Sequence, residues 1–313
     1  MASLLSYQAV EGVAQAFSAL ASRYGGQGQV AGRSVEGREL WRFDFGHQDD
    51  RVVLLTGMIH GVELIGGLAL WSSVQAILQA ELPIRLVVLP MLNPDGVHHN
   101  LRRIEAGRWA ARRCNARGVD LNRNFPMVCE RRPWHPFSGS KIRWSAHYRG
   151  EAELSEPETQ TVAQVAEVLR PWLAFGFHSF GNLLLYPWAH TAQPHPRTAE
   201  YRAIGEAFCA AQAQPYRLMP AHGLYPIVGD LDDWLDARFQ TLAFTVEVSR
   251  PGWSLLRTGQ ALNPFHVMNP PEPEGAVAQV VPGVVAAIRS ALGELGARRR
   301  GAPVPAVAPV AQG

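Results

Sequence analysis

Cysteine is scarce, with three in 313 residues. An odd number in a large domain argues against a disulfide framework, so Cys114, Cys129 and Cys209 are expected to be free thiols in a reducing compartment. Charge is also modest, at 18% charged residues and a formal net charge of +2, which gives no argument for a nucleic-acid partner. The stretch from Leu101 to Gly150 holds 12 Lys and Arg against 3 Asp and Glu, yet it contains no recognised nucleic-acid motif. No unbroken run approaches 18 apolar residues, so no membrane span is expected. The start, Met-Ala-Ser-Leu-Leu-Ser-Tyr, has no basic segment before its weakly apolar residues and so does not read as a signal peptide. There is no internal repeat and no interdomain linker. These absences lead to the expectation of a soluble, cytoplasmic chain.

Apolar residues, by contrast, make up 47% of the chain, ample for one large core. Helical patterns fall at about 6 to 24, 62 to 80, 156 to 170, 197 to 213 and 275 to 293. Strand patterns fall near 28 to 33, 39 to 45, 51 to 57, 84 to 90, 173 to 178, 183 to 186, 216 to 219 and 241 to 247. Ser155, with Pro157 just after it and Glu158 three residues on, has the pattern of a capping box opening the third helix. The expected architecture is α/β: a mixed, twisted sheet of about eight strands between two helical layers, spanning residues 1–295. The tail 296–313 (GARRRGAPVPAVAPVAQG) is too poor in periodicity to pack and is expected to be flexible.

Chemistry-bearing residues stand where strands finish. The run Arg51 to Gly57 leads straight into His60-x-x-Glu63, Leu173 to Phe177 into His178-Ser179, and Thr241 to Val246 into Glu247. In an open α/β sheet, groups at strand ends converge on one edge, where ligands bind. A His-x-x-Glu pair is a weak signal alone, and a lone His after a strand is ordinarily a satisfied turn residue. Two imidazoles, a carboxylate and a further carboxylate in this order suit a catalytic Zn²⁺ site: three ligands, a fourth position for water, and a base for that water's proton.

On these residues the chain resembles the zinc carboxypeptidases of the carboxypeptidase A family, from about Ser6 to Leu292. The likeness extends to Gly32-Arg33-Ser34-Val35-Glu36-Gly37-Arg38, Asn93-Pro94-Asp95-Gly96, Gly118 to Phe125 (GVDLNRNF), Ser155 to Thr159 (SEPET) and Leu183 to Pro187 (LLLYP). The resemblance implies that His60, Glu63 and His178 hold one Zn²⁺, that Glu247 is the general base, and that Asp120 orients the His60 ring. It also implies that Asn122 and Arg123 clamp the substrate's terminal carboxylate and that Arg113, in Arg113-Cys114-Asn115, faces the developing oxyanion. Arg112 is the neighbouring alternative for that last role.

Asp233-Trp234 stands fourteen residues before Glu247, the spacing of the pancreatic enzymes. Counting back places Tyr225 at the mobile tyrosine over the substrate and Asp232 at the floor of the specificity pocket. An Asp there resembles carboxypeptidase B, which removes Lys and Arg. An alternative reading makes Asp230, Asp232, Asp233 and Asp236 acids favoured by a helix start. The Ser179-Phe180 peptide is expected to be cis, as the family holds it. Val62 and Phe180 replace an arginine and a tyrosine of digestive members, so preferences upstream of the cut should differ.

The leading reading is a zinc metallocarboxypeptidase that hydrolyses the C-terminal peptide bond of substrates with a free carboxylate, favouring a basic last residue. A second is a cytoplasmic murein-peptide amidase that cuts D-glutamyl-diaminopimelate bonds in muropeptides. A third is an inactive zinc-binding homologue, against which Glu247 and Arg113 argue. Aspartoacylase-like deacylases fit less well, because the segment from Tyr225 to Trp234 follows the carboxypeptidases.

Overall fold

The computed structural model describes residues 7–47, 51–250 and 263–300. Eight strands form one mixed sheet: β1 (Gln27–Arg33), β2 (Glu39–Phe45), β3 (Val52–Gly57), β4 (Arg85–Leu89), β5 (Leu173–His178), β6 (Leu183–Tyr186), β7 (Arg217–Pro220) and β8 (Leu242–Glu247). Their order across the sheet is β1-β2-β4-β3-β5-β8-β6-β7. Every expected strand is present to within a few residues. The central β4, β3, β5 and β8 run parallel, and helices cover both faces, which is why these strands read as near-continuous apolar runs.

The helices are α1 (Val13–Tyr24), α2 (Leu64–Gln79), α3 (Pro94–Glu105), α4 (Pro157–Leu169), α5 (Thr198–Ala210), α6 (Leu231–Phe239), α7 (Pro264–Met268) and α8 (Pro273–Arg300). The period-2 geometry of β3 sends Val53 and Leu55 into a core shared with α1, α2, α5 and α8, while Val52 and Leu54 face α4 and α6. Parallel register then sets Gly57 opposite Phe177 and His178 opposite Glu247. The strand ends that carry chemistry therefore lie side by side.

Several expectations are corrected. The first helical pattern divides into a 3-10 turn, Tyr7–Gly12, followed by α1. The cap of α4 is Glu156, without a side-chain cap bond, and Pro157 is the first helical residue. Ser155 is not the cap, because its hydroxyl is engaged with Asn124 and Glu156. Helices α3 and α7 were not expected, and α6 was foreseen only as the alternative helix start at Asp230 to Asp236, where Asp230 is indeed the cap. The expected tail boundary at 296 falls inside α8, which continues to Arg300; residues 301–313 lie outside the described residues.

By length and composition alone, Pro273–Gly293 is long and apolar enough to cross a membrane, although single polar residues break its apolar runs. In this fold it buries Val277, Val280, Val284, Ala287 and Ile288 in the core and packs on α2 and α5.

Candidate metal centre and substrate cleft

β3 ends at Gly57, and the loop after it is held from three sides. Asn93, which caps α3 by accepting from Gly96 N at 2.9 Å, donates its Nδ2 to the carbonyls of Ile59 at 3.3 Å and Arg113 at 3.1 Å. Gly61 N donates to the Arg113 carbonyl at 3.0 Å. From far along the chain, Asn269 accepts from Ile65 N at 2.9 Å and donates to the Val62 carbonyl at 2.7 Å. The loop delivers His60 to the sheet edge and sets Glu63 as the residue before α2. Close approach of α2 to β5 requires glycine at 66, where a Cβ would stand 2.7 Å from the Phe177 carbonyl oxygen.

Three potential ligands converge as a result. His60 Nδ1 lies 2.9 Å from Glu63 Oε1, and His178 Nδ1 lies 3.1 Å from His60 Nδ1 and 3.0 Å from Glu63 Oε2. All three residues are buried. Ligand atoms at about 2.0–2.1 Å from a tetrahedral ion stand about 3.3 Å apart, close to these spacings. Two imidazole nitrogens turned towards one another and a shared carboxylate form a donor set that fits Zn²⁺.

Asp120 lies behind this set and gathers donors. His60 Nε2 lies 3.2 Å from its Oδ1, while Arg113 Nε at 2.8 Å and His147 Nδ1 at 3.2 Å meet its Oδ2. Burial works against its charge, but Arg113, Arg123 and the bonds from His147 and His60 hold its pKa well below the usual carboxylate range. Arg113 also reaches Glu63 Oε1 at 3.3 Å. Burial opposes its charge as well, and Asp120 and Glu63 outweigh that by raising its pKa. Arg113 lines the cleft, whereas the Arg112 guanidinium turns to the Ala116 carbonyl at 3.5 Å.

The cleft has a volume of about 510 Å³ and is lined by the three potential ligands together with Arg113, Asn122, Arg123, Tyr225, Asp232 and Glu247. Glu247 ends β8, with a buried Oε2 that has no hydrogen-bond partner among the described residues. Burial raises its carboxyl to about 7, with His178 opposing the shift and Glu63 adding to it. Arg123 is 1% exposed. Its Nε and Nη1 are taken by the carbonyls of Phe137 and Asn122, while its buried Nη2 has no partner among the described residues. Asn122 Oδ1 accepts from Leu231 N at 3.0 Å, which leaves the amide's N–H groups for a ligand.

The four acids around α6 divide by partner. Asp230 caps the helix by accepting from Asp233 N, Asp233 binds the Ala189 and His190 amides and the His190 ring, and Asp236 meets Tyr201 and Arg197. The one hydrogen bond to Asp232 among the described residues is from Thr245 Oγ1 at 2.5 Å. Burial raises the Asp232 carboxyl to about 7 against that bond. The Ser179-Phe180 peptide is cis, as expected, and Pro187-Trp188 is a second cis bond. Val62 and Phe180 both line the cleft.

Sequence reasoning missed His147, which sits in a basic loop with no ligand spacing to mark it. Asn93 stood in the Asn93-Pro94-Asp95-Gly96 motif without an assigned role, and Asn269 was missed altogether, since an asparagine that clasps backbone leaves no pattern. The remaining motif residues prove to be scaffolding of the same kind. Asp95 binds Ser34 and the Glu36 amide, Glu156 and Glu158 bind Asn115, and Thr159 binds Asn124.

A buried His-Glu-His set at the strand ends, with a carboxylate opposite and an arginine beside it, defines the class of metal-dependent hydrolases. Residues 13–272 match the family model described as zinc carboxypeptidase, and the chain belongs to that family. It is 25% identical over 292 residues to a carboxypeptidase B of Helicoverpa zea, covering 84% of this chain and 66% of that protein. To zinc carboxypeptidase A 1 of Anopheles gambiae it is 28% identical over 241 residues, covering 71% and 54%. It therefore spans less than two thirds of the length of either relative. Among solved structures, the carboxypeptidase A of Helicoverpa armigera shares the fold with a TM-score of 0.74 at 21% identity, covering 92% of this chain and 73% of that one.

Proposed function

We propose that the protein is a zinc-dependent metallocarboxypeptidase that removes a basic residue from the C-terminus of peptides. The observation that carries the reading is the convergence of the His60, Glu63 and His178 ligand atoms within 4.8 Å of one another beside Glu247 on the neighbouring strand. When bound, Zn²⁺ activates a water and polarises the scissile carbonyl. The chain's own groups do the rest. Asp120 fixes the His60 ring by accepting from its far nitrogen. Glu247, with a carboxyl near neutrality, takes a proton at one stage and returns it to the leaving amine at another. Arg113 stays cationic and faces the oxygen on which charge develops. Arg123 Nη2 and the Asn122 amide receive the terminal carboxylate, an acceptor that matches the donor left unpaired there.

The preference for Lys or Arg rests on Asp232. A substrate cation offers this buried carboxyl a partner, whereas an aromatic or aliphatic side chain leaves it unpaired. Three free cysteines support placing the enzyme in a reducing compartment, the cytoplasm. An assay that compares peptides ending in Lys, Arg, Leu and Phe with a muropeptide tests the reading. Fastest turnover on Lys or Arg is expected, and turnover of the muropeptide alone overturns it in favour of the amidase.

A further inference from the structure

Between Cys129 and Arg149 the chain forms a long loop without helix or strand, which brings Phe137 and His147 to the cleft and His135 against Tyr225. The ring of His135 stacks on Tyr225 with centroids 5.4 Å apart and planes within 7°. Phe137 meets Tyr225 edge-on at 5.6 Å, and it also meets His135 edge-on at 5.4 Å and His147 at 5.1 Å. His147 in turn lies 3.2 Å from Asp120, the acceptor behind His60. The Phe137 carbonyl also fixes Arg123 Nε at 3.1 Å. A continuous series of contacts therefore runs from the tyrosine at the mouth of the cleft to the first potential metal ligand.

The backbone makes this series stiff at its inner end. Ser140 N donates to the His147 carbonyl at 2.7 Å and Asp120 N to the Tyr148 carbonyl at 2.8 Å, so the main chain that carries His147 is held in place. The Cys114 thiol donates to the Ala146 carbonyl at 3.2 Å. The outer end is looser: Phe137 is 48% exposed, and what holds Tyr225 there is ring contact, which is specific in geometry but modest in strength.

We propose that Phe137 and His147 are positioning residues that couple the docking of Tyr225 to the orientation of Asp120, and through Asp120 to the His60 ring. The proposal rests on the metallocarboxypeptidase reading for its consequence in turnover, but the coupling itself belongs to the zinc-loaded protein with or without a substrate. A substrate side chain that presses on Tyr225, which already rests on Phe137 and His135, tightens the packing on His147, whose Nδ1 meets Asp120. The orientation of the metal's histidine thus responds to occupancy of the cleft mouth. Arg113, which touches Asp120 and Glu63, offers a route that Phe137 does not share, and the two are separable by mutation.

The test uses the full-length, zinc-loaded chain and two readouts. The first is the rate at which zinc passes to a chromogenic chelator. Tyr225→Ala is expected to speed this two- to fivefold in the wild-type background and to change it by less than about 1.5-fold once Phe137→Ala is present. His147→Ala is expected to speed release about tenfold, and His147→Gln, which keeps an N–H for Asp120, to return it to within twofold of wild type. The second readout is steady-state hydrolysis of a peptide ending in Arg, where Phe137→Ala should raise KM about three- to tenfold with kcat within twofold. Phe137→Leu, which retains apolar volume, serves the same cycle if the alanine variant fails to fold. Independent, multiplicative effects of Tyr225 and Phe137 on zinc release overturn the coupling, as does His147→Gln behaving like His147→Ala. A wild-type protein that hydrolyses no peptide overturns the functional reading instead, and zinc release then decides the coupling alone.

Discussion

His178 and Glu247 are cross-strand partners, the last residues of the adjacent parallel strands β5 and β8. One carries a potential metal ligand and the other the proposed base. Their separation is fixed by the hydrogen-bond ladder of the sheet, not by a loop, so truncating one side chain leaves the other in place. Glu247→Ala is therefore expected to retain one zinc per chain and the wild-type circular dichroism spectrum while losing about 10²- to 10⁴-fold in kcat. Hydrolysis within tenfold of wild type would remove Glu247 from the role of base.

Removing a ligand has the opposite signature. His60→Ala should lose tightly bound zinc in metal analysis after dialysis, and Asp120→Asn should weaken zinc binding about 10- to 100-fold without removing it, because the His60 ring loses its charged acceptor. Full retention of metal by His60→Ala would contradict the assignment.

Specificity turns on one side chain. Asp232→Ile is expected to lower kcat/KM on peptides ending in Lys or Arg and raise it on Leu or Phe, changing the ratio by at least about a hundredfold. Unchanged ratios would make Asp232 no more than an acid at the start of α6.

The same carboxyl predicts a pH dependence. Burial raises Asp232 to about 7, with Thr245 and His178 lowering it and Asp230 and Asp236 raising it. Below about pH 7 the empty pocket holds a neutral acid with little attraction for a cation, and above it a carboxylate. The ratio of kcat/KM for Lys over Leu should accordingly rise between pH 6 and pH 8, a comparison in which any titration common to both substrates cancels. A flat ratio across that range would show that the pocket does not titrate there.

Gly66 offers a structural test of the metal site. A methyl group at this position would press on the Phe177 carbonyl, the group just before His178. Gly66→Ala is expected to cost about 1–3 kcal/mol in urea unfolding and to weaken zinc binding by separating Glu63 from His178. Destabilisation with unaltered zinc affinity would show that α2 shifts as a body without disturbing the ligands.

The sheet was legible because its strands are buried on both faces, so that Val52 to Gly57 and Leu173 to Phe177 read as apolar runs with abrupt ends. The potential ligands His60, Glu63 and His178 stood out because they follow those ends. Helix α3, PDGVHHNLRRIE, was not, since its polar surface hides the buried Val97 and Leu101. Helix α6, LDDWLDARF, is short and acidic, and it buries Asp232, Asp233 and Asp236 that composition assigns to the surface. His147 was invisible for another reason: its partner, Asp120, lies 27 residues away, and only the fold brings them together. Ser155 misled because its side chain had a better partner in Asn124 than the helix start it resembled.

The clasp that Asn269 makes on Val62 and Ile65 bears on how the protein is made. The loop that bears His60 and Glu63 is synthesised early, and the amide that satisfies its buried backbone groups comes more than 200 residues later. A nascent polypeptide stalled short of Asn269 carries two of the three ligands on a loop whose Ile65 amide and Val62 carbonyl lack their partner. Domains form as units while they emerge from the ribosome, and here the unit is not complete until its penultimate helix has been followed by this asparagine. Loading with metal is thus expected to follow translation, and chain truncations upstream of Asn269 should fail to retain zinc even though all three ligands are present.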